Sequence, residues 1–181
     1  MAVAPGNGAV SAGRAPVIGA VMASCVLLAA PPLLKPAPRL LFNATASAPI
    51  GFYLVDERPP KIGDWVVVQP PPALATWMAR RGYLPGNVPL LKRLAAGDGQ
   101  TVCGRGGRIT IDGRPAAMAR NRDHWGRTLQ PLERCQRLGP GEVFLLNADA
   151  PRSFDGRYFG PLAGKTVIGR ATPLWVGRTG R

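Results

Sequence analysis

Two residues of this 181-residue chain have a type and setting that suggest covalent chemistry: Lys92 and Ser47. Lys92 stands in Pro89-Leu90-Leu91-Lys92-Arg93-Leu94. Strand alternation puts Leu90, Lys92 and Leu94 on one face and Leu91 and Arg93 on the other. Turned inward, a lysine between leucines is desolvated, its pKa falls, and its neutral amine can act as a general base. The alternation equally describes an outward lysine on an edge strand, and the pattern alone favours that reading. Ser47 lies in Asn43-Ala44-Thr45-Ala46-Ser47-Ala48-Pro49-Ile50-Gly51, where small residues let a backbone or a substrate approach closely. A serine nucleophile needs a base, usually histidine. The sole histidine, His124, belongs to the polar loop Asn121-Arg122-Asp123-His124-Trp125-Gly126, so a Ser-His-Asp triad through His124 stays open. Asp155 and Arg157, in Ser153-Phe154-Asp155-Gly156-Arg157-Tyr158-Phe159-Gly160, have the spacing of an ion pair, more often structural than catalytic. Gly164-Lys165-Thr166 falls short of a phosphate loop, because Phe159 occupies the position of the first glycine. Three cysteines without C-x-x-C leave too few ligands for a structural zinc site, so neither metal nor cofactor is expected.

The surrounding elements read mainly as strands. Gly 23 and Pro 20 argue against a helix bundle and for short strands joined by turns. Strands are expected at Trp65 to Val68, Leu90 to Leu94, Arg108 to Ile111 with a hairpin turn at Asp112-Gly113, Glu142 to Leu146, Thr166 to Gly169 and Ala171 to Val176. One short helix fits Ala73 to Arg80. The fold class expected is mainly β, an antiparallel domain with long irregular loops and no βαβ alternation.

Residues 15–34 carry no charge and approach the roughly 20 residues that cross a bilayer as a helix. They are expected to form an uncleaved membrane anchor closed by Pro31-Pro32, between a tail over 1–14 and a Pro-rich linker over 35–42. The globular domain then occupies 43–181. Arg14 before the segment and Lys35 and Arg39 after it leave its orientation nearly balanced. Cys103 and Cys135 could pair if the domain faces an oxidising compartment; two free buried thiols are the alternative. The net charge of +13, nearly all arginine and spread along the chain, describes solvated faces or attraction to anionic lipid headgroups. Without basic runs or interleaved aromatics, no specific nucleic-acid partner is expected.

The order of these pieces resembles the type I signal peptidase family, serine peptidases with a Ser/Lys dyad. The match looks closest to the conjugative-transfer branch, the TraF-type pilin-processing peptidases. It rests on Asn43 to Tyr53 with S-x-P-x-G-x-Y in its middle, Leu91-Lys92-Arg93, Arg81-Gly82-Tyr83-Leu84, and Ser153 to Leu162, and runs from the anchor to about Trp175. The resemblance implies Ser47 as nucleophile and Lys92 as general base. It implies an oxyanion hole from the Ser47 N–H and the Thr45 hydroxyl, with Ser153 orienting the lysine and Asp155 and Arg157 supporting the site. It further implies a β fold with an apolar surface resting on lipid, a periplasmic domain on a single inner-membrane anchor, and an exported precursor as substrate, with pilin cyclisation an open outcome. Two positions depart from the family pattern: Gly97-Asp98-Gly99-Gln100 replaces Leu-Pro-Gly-Asp, and Gly156 stands where Asp-Ser-Arg has serine. A general signal peptidase and a non-enzymatic basic scaffold of a transfer apparatus are the competing readings.

Overall fold

The computed structural model describes residues 14–34 and 40–177. The tail, most of the linker expected over 35–42 and the last four residues lie outside the described residues. The chain divides into two compact units, Met1–Ala37 and Pro38–Arg181.

In the first unit, helix α1 covers Arg14–Leu34. It runs through Pro31 and Pro32 instead of stopping there; the two prolines remove two N–H donors, both in the last turn. Val17, Ile18, Val21, Met22, Val26 and Leu27 are exposed. Side chains of this helix are described over 16–27, and among the described residues no helix is long and apolar enough to cross a membrane.

The second unit is antiparallel β structure. Its strands are β1 (Leu40–Asn43), β2 (Gly51–Asp56), β3 (Trp65–Val68), β4 (Leu90–Ala96), β5 (Thr101–Arg105), β6 (Arg108–Ile111), β7 (Arg114–Met118), β8 (Cys135–Arg137), β9 (Glu142–Leu145), β10 (Leu162–Ala163) and β11 (Val167–Val176). Helix α2 (Pro72–Arg80) follows β3, and the single turn α3 (Gly156–Phe159) follows β9. Seven strands form one sheet in the order β1-β2-β11-β3-β4-β9-β10, and β7-β6-β5-β8 form a second. The small sheet is thus an insertion between the paired strands β4 and β9. The two closing strands expected after Lys165 are one strand, β11, which lies between β2 and β3 and pairs with both, with one register shift along each pairing. The hairpin turn at Asp112-Gly113 forms, with both residues at positive φ as its geometry requires.

β4 is central, bonded to β3 and β9, and both its faces are covered. Leu90 and Leu94 pack with Val66, Val68, Met78 and Leu145, whereas Leu91 packs with Tyr53, Trp65 and Val67 on the other side. The edge-strand reading of Lys92 is therefore corrected: β4 is an interior strand, and the cover over its faces leaves Lys92 only 3% exposed. A third apolar cluster, including Val102, Ile109, Leu132, Phe144 and Leu146, fastens the small sheet to the large one. Gly104 is obligatory there, since a Cβ would collide with the Leu132 carbonyl.

Cys103 and Cys135 face each other across β5 and β8 and are joined by a disulfide. Its sequence separation of 32 closes a long loop. A Cys103→Ser variant is expected to lose about 3–4 kcal/mol in the chain-entropy account, read as a lower urea midpoint with a larger m-value, because the unfolded chain freed of the link exposes more surface.

Candidate active site

The Ser47 loop is built by Asn43, the last residue of β1. Its buried amide donates to the carbonyls of Thr45 (2.9 Å), Ala48 (3.1 Å) and Pro49 (3.0 Å). Its Oδ1 accepts from the Thr45 N–H (3.2 Å) and the Thr45 hydroxyl (2.9 Å). Small residues make this compact turn possible, and the Tyr53 hydroxyl closes it on Pro49 O at 2.7 Å. Ser47 Oγ lies 3.1 Å from Thr45 Oγ1. Because the Thr45 proton is given to Asn43, the Ser47 hydroxyl is the donor in that pair. Thr45 can serve an oxyanion only after turning its proton away from Asn43.

Lys92 Nζ donates to Ser153 Oγ at 2.8 Å. Burial pushes the lysine down to about 8 from its usual 10.5; the Asp155 carboxylate opposes that shift and the Arg157 guanidinium adds to it. An amine near neutrality on the pH scale, immobilised by a hydroxyl, can take up a proton and release it again.

Ser153 stands where it does because of a buried ion pair. Arg157 and Asp155 meet bidentately, Nε to Oδ1 and Nη2 to Oδ2, both at 2.8 Å. Asp155 also caps α3 through the Arg157 N–H (3.2 Å). Arg157 Nη2 donates to the carbonyls of Asn147 (3.2 Å), Ala150 (2.8 Å) and Ser153 (3.3 Å), gathering the whole 147–153 loop around one guanidinium. Gly156 is packed so closely that a Cβ would lie 2.6 Å from Phe144 and 2.7 Å from Leu145 O, so the missing serine has no room here. At the other departure, Asp98 accepts from the Gly141 N–H at 2.8 Å and ties the return into β9.

The structure thus brings Lys92, Ser153, Asp155 and Arg157 into one hydrogen-bonded and charged group, and Thr45 and Ser47 into another. Asn147 joins the two: its Nδ2 donates to Ser47 O at 2.6 Å, and its N–H donates to Asp155 Oδ2 at 3.1 Å. Neither Asn147 nor the constructive part of Asn43 stood out in the sequence. An asparagine after an apolar strand usually ends that strand, and only its partners mark it as more. The Arg81-Gly82-Tyr83-Leu84 box also reaches the site. The Tyr83 ring lies 5.1 Å from Phe154, which stacks on Trp77 and Tyr158 and wedges between Ser153 and Asp155 in sequence. His124 is exposed, its ring against Trp125, and takes no part in the hydrogen bonds described for the Ser47 loop.

A family model described as signal peptidase, peptidase S26, matches residues 14–176. A probable conjugal transfer protein TraF of Sinorhizobium fredii is 36% identical over 141 residues, 71% of this chain and 73% of its own. A conjugal transfer protein TraF of Agrobacterium fabrum is 36% identical over 147 residues, 74% of this chain and 81% of its own. A plasmid transfer protein TraF of Escherichia coli is 32% identical over 145 residues, 73% of this chain and 80% of its own. Among solved structures, a signal peptidase I of Enterococcus faecalis aligns with a TM-score of 0.40 and 22% identity, covering 65% of this chain and 100% of that one.

Proposed function

This chain belongs to the signal peptidase family, peptidase S26, and from that premise we propose that it is a Ser47/Lys92 serine endopeptidase that matures an exported precursor of a conjugative transfer system. The observation that carries the reading is the buried Lys92 amine, held near 8 and donated to Ser153. Neutral Lys92 takes the Ser47 proton as Oγ attacks the scissile carbonyl. The oxyanion is met by the Ser47 N–H and by the Thr45 hydroxyl once that turns from Asn43. The Lys92 ammonium returns the proton to the leaving amine, and the acyl-enzyme is then resolved by water, or by an amine of the substrate itself in a cyclisation.

Three features support a membrane-bound, periplasmic setting. The α1 segment over 15–34 is free of charge. Leu40 and Phe42 of β1, Phe52 and Leu54 of β2, and Leu174 and Trp175 of β11 are exposed on neighbouring strands, an apolar area suited to the lipid surface. The Cys103–Cys135 disulfide suits an oxidising compartment. The naming of the relatives as conjugal and plasmid transfer proteins favours a transfer precursor over general signal-peptide removal.

The test is co-expression of a candidate prepilin with wild type, Ser47→Ala and Lys92→Ala, read as intact mass. Wild type is expected to shorten the precursor and both variants to leave it whole. A product one water lighter than the linear chain identifies cyclisation. Normal processing by both variants would refute the dyad and reopen both a His124-based reading and the non-enzymatic scaffold.

A further inference from the structure

We infer that Asn147 is a positioning residue that clamps the nucleophile loop to the lysine strand; the inference rests on the Ser47/Lys92 reading above. Its side chain is 3% exposed and fully bonded. Nδ2 donates to Ser47 O at 2.6 Å and to Leu91 O at 3.4 Å, while Oδ1 accepts from the Arg93 N–H at 2.9 Å. Leu91 and Arg93 are the residues on either side of Lys92. The amide orientation is fixed by its partners: flipped, its NH2 would face the Arg93 N–H and its oxygen would face two carbonyls. The arrangement extends the sheet. β9 ends at Leu145, Leu146 N still donates to Arg93 O at 3.0 Å, and at the next residue the Asn147 side chain takes over the pairing with β4.

What sets this side chain apart from a loop-stabilising asparagine is where its bonds go. Its own backbone is already held, its N–H by Asp155 (3.1 Å) and its carbonyl by Arg157 (3.2 Å). All three side-chain bonds run to Ser47 and to the flanks of Lys92. Ser47 is 100 residues away in sequence, and this amide fixes its backbone to the strand that carries the base. Proton transfer from Ser47 Oγ to Lys92 Nζ depends on their separation, and a displacement of about 1 Å costs on the order of 10²-fold in rate.

The test uses the full-length protein and a fluorogenic peptide spanning the cut site of a precursor that wild type processes. Asn147→Ala and Asn147→Asp are each expected to lower kcat per folded molecule about 10²-fold with KM unchanged. Asn147→Asp keeps the acceptor for Arg93 but loses both donors and places a carboxylate beside β4. Its rate is therefore expected to rise only at higher pH than that of wild type, because the anion favours the Lys92 ammonium. Gln100→Ala, which removes a hydrogen bond to Asp112 in the small sheet, serves as a stability control with kcat kept. A wild-type kcat in Asn147→Ala, or a loss confined to KM, would overturn the inference. Unfolding of both variants would overturn it too, by making the amide a determinant of folding. Cleavage that persists in Ser47→Ala would instead bring down the dyad reading, and this inference with it.

Discussion

Replacing Lys92 with methionine is expected to reduce cleavage by about 10⁴-fold, the upper range for a lost proton-transfer group, and at the same time to make the protein more stable at pH 7. The two effects share one cause. The amine belongs to a residue only 3% exposed, on a strand whose alternation puts it on one face with Leu90 and Leu94, and it donates to the Ser153 hydroxyl. Burial lowers it to about 8, so between that pH and 10.5 the unfolded chain binds a proton that the folded chain does not. Stability therefore rises with pH across that window, and below pH 8 the folded state carries the whole penalty, roughly 3 kcal/mol. Methionine fills the space without the charge. Urea unfolding at pH 7 should show Lys92→Met above wild type, with the gap narrowing by pH 10.5. The wild-type kcat should climb through an apparent pKa near 8, since only the neutral amine accepts the Ser47 proton. A variant that is both inactive and less stable at pH 7 would show that Lys92 is held by more than the Ser153 hydroxyl.

Asp155→Ala should be the most destabilising of the single changes at the site, costing about 3–5 kcal/mol. Its partner Arg157 is 1% exposed and cannot reach water when the carboxylate is gone. The loss spreads, because the same guanidinium holds the carbonyls of Asn147, Ala150 and Ser153. A double variant, Asp155→Leu with Arg157→Met, should recover only the part due to the unpaired buried charge, because the carbonyls of Asn147, Ala150 and Ser153 lose their donor. It should not recover cleavage, because Ser153 and Asn147 would then lack the group that gathers their loop. Thermal unfolding and peptide turnover on the two variants measure the two halves of this expectation. Equal stability of Asp155→Ala and wild type would mean that water reaches Arg157.

The strands that carry the site were largely legible. Val66, Val67 and Val68 form an uninterrupted β-branched run, and β3 lies where that run lies. The α2 helix begins at Pro72, where proline suits a first turn, and closes at Arg80. Strands β1, β2, β5, β8 and β10 were not anticipated from pattern; Leu40–Asn43 borders a proline-rich stretch, and Cys135–Arg137 and Leu162–Ala163 are too short to show a period. At the site, the alternation around Lys92 gave the right neighbours on each face but the wrong exposure, since a strand's own sequence does not say what will cover its faces.

Residue type and order determined the family likeness, the β class, and which serine, lysine and carboxylate to weigh, because those depend on local chemistry and on spacing along the chain. Tertiary structure decided the rest. It covered both faces of β4 and so set the burial that lowers Lys92. It left His124 on the surface against Trp125, and set Asn147 where one amide reaches Ser47, Leu91 and Arg93 together. Desolvation and long-range hydrogen bonds are properties of what surrounds a residue after folding, and here the surroundings come from segments as far apart as Ser47 and Asn147.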